Sequence, residues 1–261
     1  MSKSSKYASK FPDEEGLFSY SEEEDLIWSV LFESQCKFLK NRMCDEYFDG
    51  IDTLKMPSTR VPQIKDIDRA MEEVLNFGVE GVPAFIPPSQ FFDLLARRKF
   101  PVATFIRTRE DMQYIEEPDI FHEVFGHCPM LTNPDFANFV EKFGKLAVDL
   151  GKSYSWRLFR LFWFTVEFGM IKTPDGLRGY GAGIASSPSE GKFATGGTAE
   201  ILDFDLMTIL RTPYRIDIVQ PVYFAIDSFA QLSASLDQDI AGLIDKAKEM
   251  GDLPARFEKA A

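Results

Sequence analysis

Both histidines of this 261-residue chain, His122 and His127, lie five positions apart in one stretch, EEPDIFHEVFGHCPMLTNP, residues 116–134. The same stretch carries the carboxylates Glu116, Glu117, Asp119 and Glu123, with Pro118 before the histidines and Gly126 between them. Proline suits the first position of a helix, where its missing N–H is not needed. Ile120, Phe121, Val124 and Phe125 recur at helical intervals, so a short buried helix is predicted here. On a regular α-helix, positions five apart face directions roughly 140° from each other. Two rings on one such helix would not converge. The expectation is therefore that Gly126 ends the helix and turns the chain, swinging His127 back toward His122, with Pro129 following the stop.

Paired imidazoles suit a divalent metal, and the spacing narrows the choice. Metalloproteases place H-E-x-x-H on one face, at i and i+4. This chain reads H-E-x-x-x-H, and the extra residue counts against a zinc hydrolase with Glu123 as general base, although spacing leaves that reading open. Two imidazoles plus a carboxylate from elsewhere would make the facial triad of non-haem Fe(II) oxygenases, with positions left open for dioxygen. The duller alternative is two ordinary histidines. Glu167 supplies a candidate third ligand, near the end of a helix predicted over residues 154–170. That helix is apolar almost all round, with Leu158, Phe159, Leu161, Phe162, Trp163, Phe164, Val166 and Phe168, and belongs in the centre of the fold. A carboxylate in such company needs a partner, because desolvating it alone is prohibitive. Arg157 and Arg160, at i−10 and i−7, are poorly placed to pair with it, which favours a metal.

The elements that must position these groups are mostly helical. Residues 1–20 are predicted as a polar, loosely held arm, and residues 21–261 as one catalytic domain. Ser21 and Glu24 form a capping-box pattern before a helix that reaches about residue 43. An amphipathic helix over residues 64–77 is closed by Gly78, and the apolar segment GVEGVPAFIPP after it is expected as a buried or pocket-lining loop. Ser89 opens a helix through residue 98, and residues 102–106 form a strand leading to Arg107. Pro134 opens the next helix, in which Gly144 costs about 1 kcal/mol against alanine. Beyond residue 171 short strands are expected at 178–180, in GAGIASS, at 215–219 and at 222–225, with a helix at 203–210 between them. A last helix covers 227–250 and lacks the heptads of an oligomerising tail. The fold class is mostly α (α+β), in one domain.

Composition excludes several classes. A net charge of −12 and a pI near 4.8 argue against nucleic acid or an anionic membrane as partner. No apolar run reaches the length of a membrane span, and the basic N-terminal residues have no apolar stretch behind them, so no secretory signal is read. Cys36, Cys44 and Cys128 follow neither a zinc nor a redox spacing, and a cytoplasmic location is the simplest expectation.

The strings EPDIFHEVFGH, FWFTVEFG and YGAGIASS, in this order, resemble the pterin-dependent aromatic amino acid hydroxylases, most nearly the compact bacterial phenylalanine 4-hydroxylases. The resemblance spans roughly residues 25–240. It implies a helical basket with small β elements, and hydroxylation of L-phenylalanine to L-tyrosine by dioxygen with a tetrahydropterin co-substrate. Neither the regulatory domain nor the tetramerisation helix of the animal enzymes is recognisable, which implies a monomer.

Laid onto matching positions, the resemblance assigns His122, His127 and Glu167 to Fe(II). Glu123 would sit near the pterin and an iron-bound water. Phe91 would stack on the pterin, with the backbone of Phe85 and Ile86 meeting its edge. Arg107 would take the substrate carboxylate in a bidentate grip, and Ser186 would be tied to that region and to the first histidine. Asp119 would support the ligands by orienting an imidazole. Pro118 and Trp163 would wall the aromatic pocket, with Tyr223 close by among the catalytic residues. One departure is Ile115, where some members carry a substrate-binding threonine. Within the family, Trp163 points away from tryptophan as substrate and Ala225 points away from tyrosine.

Overall fold

A computed structural model describes residues 6–83, 86–113, 115 and 117–257. Helix α1, Glu22–Leu39, starts on the predicted capping box: the Glu24 N–H donates to Ser21 Oγ at 3.3 Å, and the Ser21 N–H donates to Glu24 Oε2 at 2.8 Å. Helix α2, Asp45–Thr53, follows, and then α3, Ile64–Leu75. The stop after α3 is Asn76, in the left-handed conformation at φ 54°, and not Gly78, which already belongs to a strand. Asparagine tolerates that conformation because its short amide bonds locally.

The apolar segment expected as a loop begins as strand β1, Gly78–Val82. It pairs in parallel with β2, Lys99–Ala103, across helix α4, Pro88–Ala96. Parallel pairing needs such a crossover. The strand expected at 102–106 therefore starts three residues earlier, and its last residues run as extended chain to Arg107.

Helix α5, Pro134–Leu150, is capped by Asn133, whose Oδ1 accepts from the Asp135 and Phe136 N–H groups. Helix α6, Lys152–Phe162, packs beside it. Strands β3, Met170–Thr173, and β4, Gly176–Gly179, form an antiparallel hairpin. GAGIASS, expected as a strand, is instead the short helix α7, Ala182–Ser186, followed by α8, Pro188–Ala194. Strand β5, Glu200–Asp203, was not expected. It precedes α9, Leu206–Arg211, while residues 215–219 form irregular chain in place of the expected strand. Strand β6, Val222–Ile226, completes a sheet of order β4-β3-β6-β5. The long last helix is broken into α10, Phe229–Ala234, and α11, Ile240–Met250, because Asp239 caps a fresh start through the Gly242 N–H at 2.9 Å.

The described part of the N-terminal arm packs against the domain. Tyr7 stacks on Phe105 with centroids 4.7 Å apart and planes 8° apart. The Lys10 N–H donates to Thr104 Oγ1, Thr104 Oγ1 donates back to the Lys10 carbonyl, and Phe18 is buried. Residues 6–20 thus lie along Thr104 and Phe105, just past the end of β2.

The core is built from phenylalanine rings meeting edge to face or in offset stacks, including Phe92 with Phe143 and Phe121 with Phe125. Gly144 is where α5 crosses α4 most closely. A Cβ there would stand 2.4 Å from the Ala96 nitrogen and 2.7 Å from the Leu95 carbonyl carbon. The residue that weakens the helix in isolation is the one that lets two backbones meet. Gly144→Ala should therefore destabilise the protein by about 1–3 kcal/mol, overriding the gain of about 1 kcal/mol in helix propensity. A denaturation midpoint equal to or above that of the parent chain would contradict the close-approach account.

Candidate metal centre

Residues Phe121–His127 form a π-helix. Its i→i+5 bonding makes a wider turn than an α-helix, so positions five apart return to nearly one face. His122 and His127 converge without any helix stop. Their rings stand 4.9 Å apart at 86°, with Nε2 to Nε2 at 3.2 Å. The expected break at Gly126 does not occur. Gly126 is buried within the turn, where a Cβ would lie 3.0 Å from both the Cβ and the carbonyl oxygen of Ala182 in α7. A second widened turn, Trp163–Glu167, ends α6; there the Phe168 N–H donates to the Trp163 carbonyl at 3.0 Å. That turn carries Glu167 to the two imidazoles.

Glu167 Oε1 is 3.2 Å from His127 Nε2, and Oε2 is 3.5 Å from His122 Nε2. Donors about 2.1 Å from one ion and at right angles to each other lie roughly 3 Å apart, so these separations fit a shared metal. Arg157 and Arg160 are committed elsewhere, to Asp252 and to the Leu210 carbonyl. Glu123 lies farther off, with Oε2 at 3.7 Å from His127 Nε2, and forms with the two histidines a group whose ligand atoms all fall within 4.8 Å. It is the nearest spare carboxylate beside the closer acid, Glu167. His122 Nδ1 meets Ser186 Oγ at 2.8 Å, as the resemblance implied. With Nδ1–H donating to that hydroxyl, the Nε2 lone pair faces the common point. His127 Nδ1 is buried without a hydrogen-bond partner among the described residues.

The electrostatics are those of a cation site. Burial would raise the Glu167 carboxyl, but His127 and His122 outweigh it and hold the group far below the usual carboxylate range. Burial would likewise lower His122, yet the charge of Glu167, with Glu123 and Asp119 behind it, pushes the imidazole up to about 9. Burial drives Glu123 up to about 8 and His127 below its ordinary value. A divalent ion would replace the proton on His122, so its affinity should rise with pH.

Beside the triad opens a cavity of about 530 Å³, lined in part by Arg107, Pro118, Trp163 and Ser186 together with His122 and Glu167. All four residues predicted for substrate gather there, and Ile115 joins them. Two roles differ from expectation. Asp119 orients no imidazole. It is fully buried and grips Arg107 through Nε and Nη2, each at 2.8 Å, and accepts the backbone N–H groups of Arg107 and His122. Burial would raise Asp119, but the Arg107 charge and these donors hold it below its usual value. One bidentate edge of Arg107 is thus already occupied, and only its Nη1–Nη2 edge remains for a ligand carboxylate.

Tyr223 lies behind the wall rather than on it. It is fully buried in β6, and its hydroxyl donates to Glu190 Oε1 at 2.6 Å. Ala225, on the same strand, is buried and outside the cavity lining. Phe91 is also outside it, its ring 5.2 Å from Phe162, which in turn lies 6.4 Å from His127. Ile86 is half-buried just before α4, and Phe85 lies outside the described residues.

Sequence reasoning missed the group that fixes Trp163. Its indole N–H donates to Gln220 Oε1 at 2.9 Å, while Gln220 Nε2 donates to the carbonyls of Arg215 and Ile218 and the Gln220 N–H donates to Glu190 Oε1. Gln220 thereby pins Trp163 to the irregular segment 215–219, whose residues 216–219 also line the cavity. No pattern in the sequence marks it, since a lone glutamine before a proline reads as surface.

Burial pushes the Glu190 carboxyl up to about 7 despite the Tyr223 and Gln220 hydrogen bonds that oppose it. A carboxyl raised in the folded state supports folding fully below its ordinary range, and that support is lost as pH rises through about 7. Glu190→Gln, which keeps both acceptor contacts, should therefore be more stable than the parent above neutral pH, by on the order of 3 kcal/mol. The difference should vanish in mild acid. Urea midpoints across that range test this; a pH-independent difference would exclude the buried charge as its source.

The chain matches the family described as biopterin-dependent aromatic amino acid hydroxylase over residues 2–249. It is 44% identical over 249 residues to the phenylalanine-4-hydroxylase of Pseudomonas aeruginosa, covering 95% of each chain. Among solved structures, the phenylalanine hydroxylase of Legionella pneumophila superposes with a TM-score of 0.94 at 44% identity, covering 96% of this chain and all of that one. The Chromobacterium violaceum enzyme, solved with bound oxidized Fe(III), superposes with a TM-score of 0.88 at 39% identity, over 94% of this chain and 89% of that one. The widened turns that bring two imidazoles and an acid to one point are therefore set in a known frame: the chain belongs to the biopterin-dependent aromatic amino acid hydroxylases.

Proposed function

We propose that this chain hydroxylates L-phenylalanine to L-tyrosine, using dioxygen and a tetrahydropterin at a mononuclear Fe(II) held by His122, His127 and Glu167. The observation that carries this reading is the convergence of those three side chains at 3.2–3.5 Å, with His122 and Glu167 on the wall of a largely apolar cavity. Relatives carrying the name phenylalanine-4-hydroxylase over nearly the full length support the choice of substrate. Iron with the pterin supplies the activation of dioxygen for attack on an aromatic ring. A zinc hydrolase with Glu123 as base is disfavoured by the family and by the placement of Glu167 ahead of Glu123.

The chain's own groups bind, orient and exclude water. Arg107 offers its Nη1–Nη2 edge to the amino acid carboxylate, held in place by Asp119. Trp163, Pro118 and Phe168 give the ring apolar surface on which to lie. Ser186 keeps the His122 ring turned so that Nε2 faces the metal. Phe91, linked to His127 through the Phe162 ring, supports a pterin site away from the substrate cavity, with Ile86 and Glu123 as further candidates there. Tyr223 acts from behind, through Glu190 and Gln220. The three free thiols suit a reducing compartment. No helix among the described residues is long and apolar enough to cross a membrane.

An aerobic assay of iron-loaded protein, following tyrosine from phenylalanine with and without reduced pterin, tests the assignment. Tyrosine should form only with pterin present and iron loaded, and His122→Ala should abolish it while circular dichroism stays unchanged. Turnover by the zinc-loaded protein without pterin, or undiminished turnover by His122→Ala, would overturn the reading. Gln220→Leu should raise the KM for phenylalanine by about tenfold, as expected for losing about 1–3 kcal/mol of hydrogen bonding that fixes the wall. An unchanged KM would remove Gln220 from the cavity's architecture.

A further inference from the structure

The chain holds three tryptophans, and two of them lie on one continuous stack that runs from the metal site to solvent. Trp163 lines the cavity together with His122 and Glu167. The ring of Tyr214 lies on Trp163 with centroids 4.7 Å apart and planes 27° apart. Trp156 lies on the other side of Tyr214, 6.0 Å away at 23°, and is 63% exposed. An indole this exposed adds little to the core, and the fold keeps it stacked rather than free. The third tryptophan, Trp28, is fully buried against Phe32 and Phe121 and reaches no exposed ring. The rings that flank His127 are Phe100, at 4.5 Å, and Phe162, and phenylalanine is far harder to oxidise than indole or phenol. Trp163 is thus the oxidisable ring at the cavity wall, and its only stacked continuation among the described residues ends at Trp156.

We propose that Trp163, Tyr214 and Trp156 form a route by which an oxidising equivalent leaves the metal site for the protein surface when no substrate ring stands in the cavity. The inference rests on the oxygenase reading above, because the oxidant would come from the dioxygen chemistry that an iron held by His122, His127 and Glu167 would supply. With the cavity empty of substrate, Trp163 would give that oxidant one electron, and water in the cavity would give it one proton. Trp163 is refilled by Trp156 through the Tyr214 ring, which keeps its own proton. Trp156 gives its indole N–H proton to solvent. The net change is one electron and one proton lost from Trp156 and one of each gained by the oxidant.

The radical at Trp156 then has two fates. A reduced pterin or a thiol in solution can return a hydrogen atom and restore the indole. Otherwise it combines with dioxygen, takes one electron and one proton from the reduced pterin, and becomes N-formylkynurenine. Either outcome spares His122, His127 and Glu167. The Arg160 guanidinium, 5.8 Å over the Trp156 ring, disfavours a cation there and so favours loss of the proton to water.

The test locates oxidation by peptide mass spectrometry after aerobic incubation of the iron-loaded protein with reduced pterin and catalase, with and without phenylalanine. Without phenylalanine, Trp156 should be the main modified residue; with it, modification should fall several-fold while tyrosine accumulates. Zinc-loaded protein, redox-inert, should leave Trp156 unmodified. In Trp156→Phe, a surface change, coupled turnover should be unaltered, while oxidation moves inward to Tyr214 and Trp163 and activity is lost several-fold faster during incubation without substrate. Tyr214→Leu should likewise shift modification from Trp156 to Trp163. Trp156 modified equally in the zinc-loaded protein or in Tyr214→Leu would overturn the route. So would an iron-loaded parent whose ligands are oxidised while Trp156 stays intact. Tyrosine formation in the arm with phenylalanine reports separately on the oxygenase assignment, so a failure of that reading is distinguishable from a failure of the route.

Discussion

Two residues five apart in sequence can face one point only if the helix that carries them is wider than an α-helix. The whole centre depends on that constraint, and the chain meets it twice. Phe121–His127 is widened so that the two imidazoles converge, and Trp163–Glu167 is widened so that an acid at the end of a buried helix reaches them. Widened turns have poorer packing along their own axis than α-helix. Here the first turn is wedged by tertiary contact: Trp28 meets Phe121 edge-on at 5.4 Å and Phe32 meets Phe125 edge-on at 5.5 Å, while α7 presses on its Gly126. The strain of the helix is thus held by the core around it, and the metal would find donors already in place.

The metal half and the substrate half of the site are joined by one fully buried carboxylate. Asp119 receives the Arg107 side chain, the Arg107 N–H and the His122 N–H. A buried acid so surrounded is stabilised as the anion, and a buried guanidinium beside it needs no water. The consequence is geometric: the arginine that meets an amino acid carboxylate and the imidazole that meets the metal share one anchor. Gln220 does the same on the far side, linking Trp163, the segment 215–219 and the Glu190–Tyr223 pair. The cavity is therefore defined by two buried polar junctions, each satisfied by several donors, set in a shell of phenylalanine.

Much of this was legible without coordinates, and the misses have physical causes. The capping box at Ser21 and the proline start of α5 follow from local rules and stand where expected, whereas the apolar helix expected to reach residue 170 leaves α geometry at Trp163 and stops at Glu167. Asn76 rather than Gly78 ended α3, through a left-handed backbone, and the Asp239 side chain capped a fresh start within the last helix. GAGIASS, expected as a strand, is rich in glycine and alanine, which strands disfavour; it forms helix α7, whose Ala182 lies against the widened turn at Gly126. The arm at 6–20 read as loose from its polarity, and its described residues lie against the chain just after β2, where Tyr7 stacks on Phe105 and the Thr104 hydroxyl bonds to the Lys10 backbone.

What residue types and spacing settled alone is the chemistry on offer: two imidazoles, a lone acid in an apolar helix, and three motifs that together resemble one family. Those follow from local composition, because an unpaired buried charge is too costly to be incidental. What only tertiary structure decided is which atoms meet. The five-residue spacing could be resolved by a helix stop or by a wider helix, and nothing local distinguishes them, since the choice depends on the surface of α7 laid against Gly126. Nor could sequence show that Asp119 faces Arg107 rather than an imidazole, that Tyr223 stands behind Glu190, or that Trp156 and Trp163 are joined through Tyr214. Each is a contact between segments distant in the chain, fixed by packing rather than by any residue's own preference.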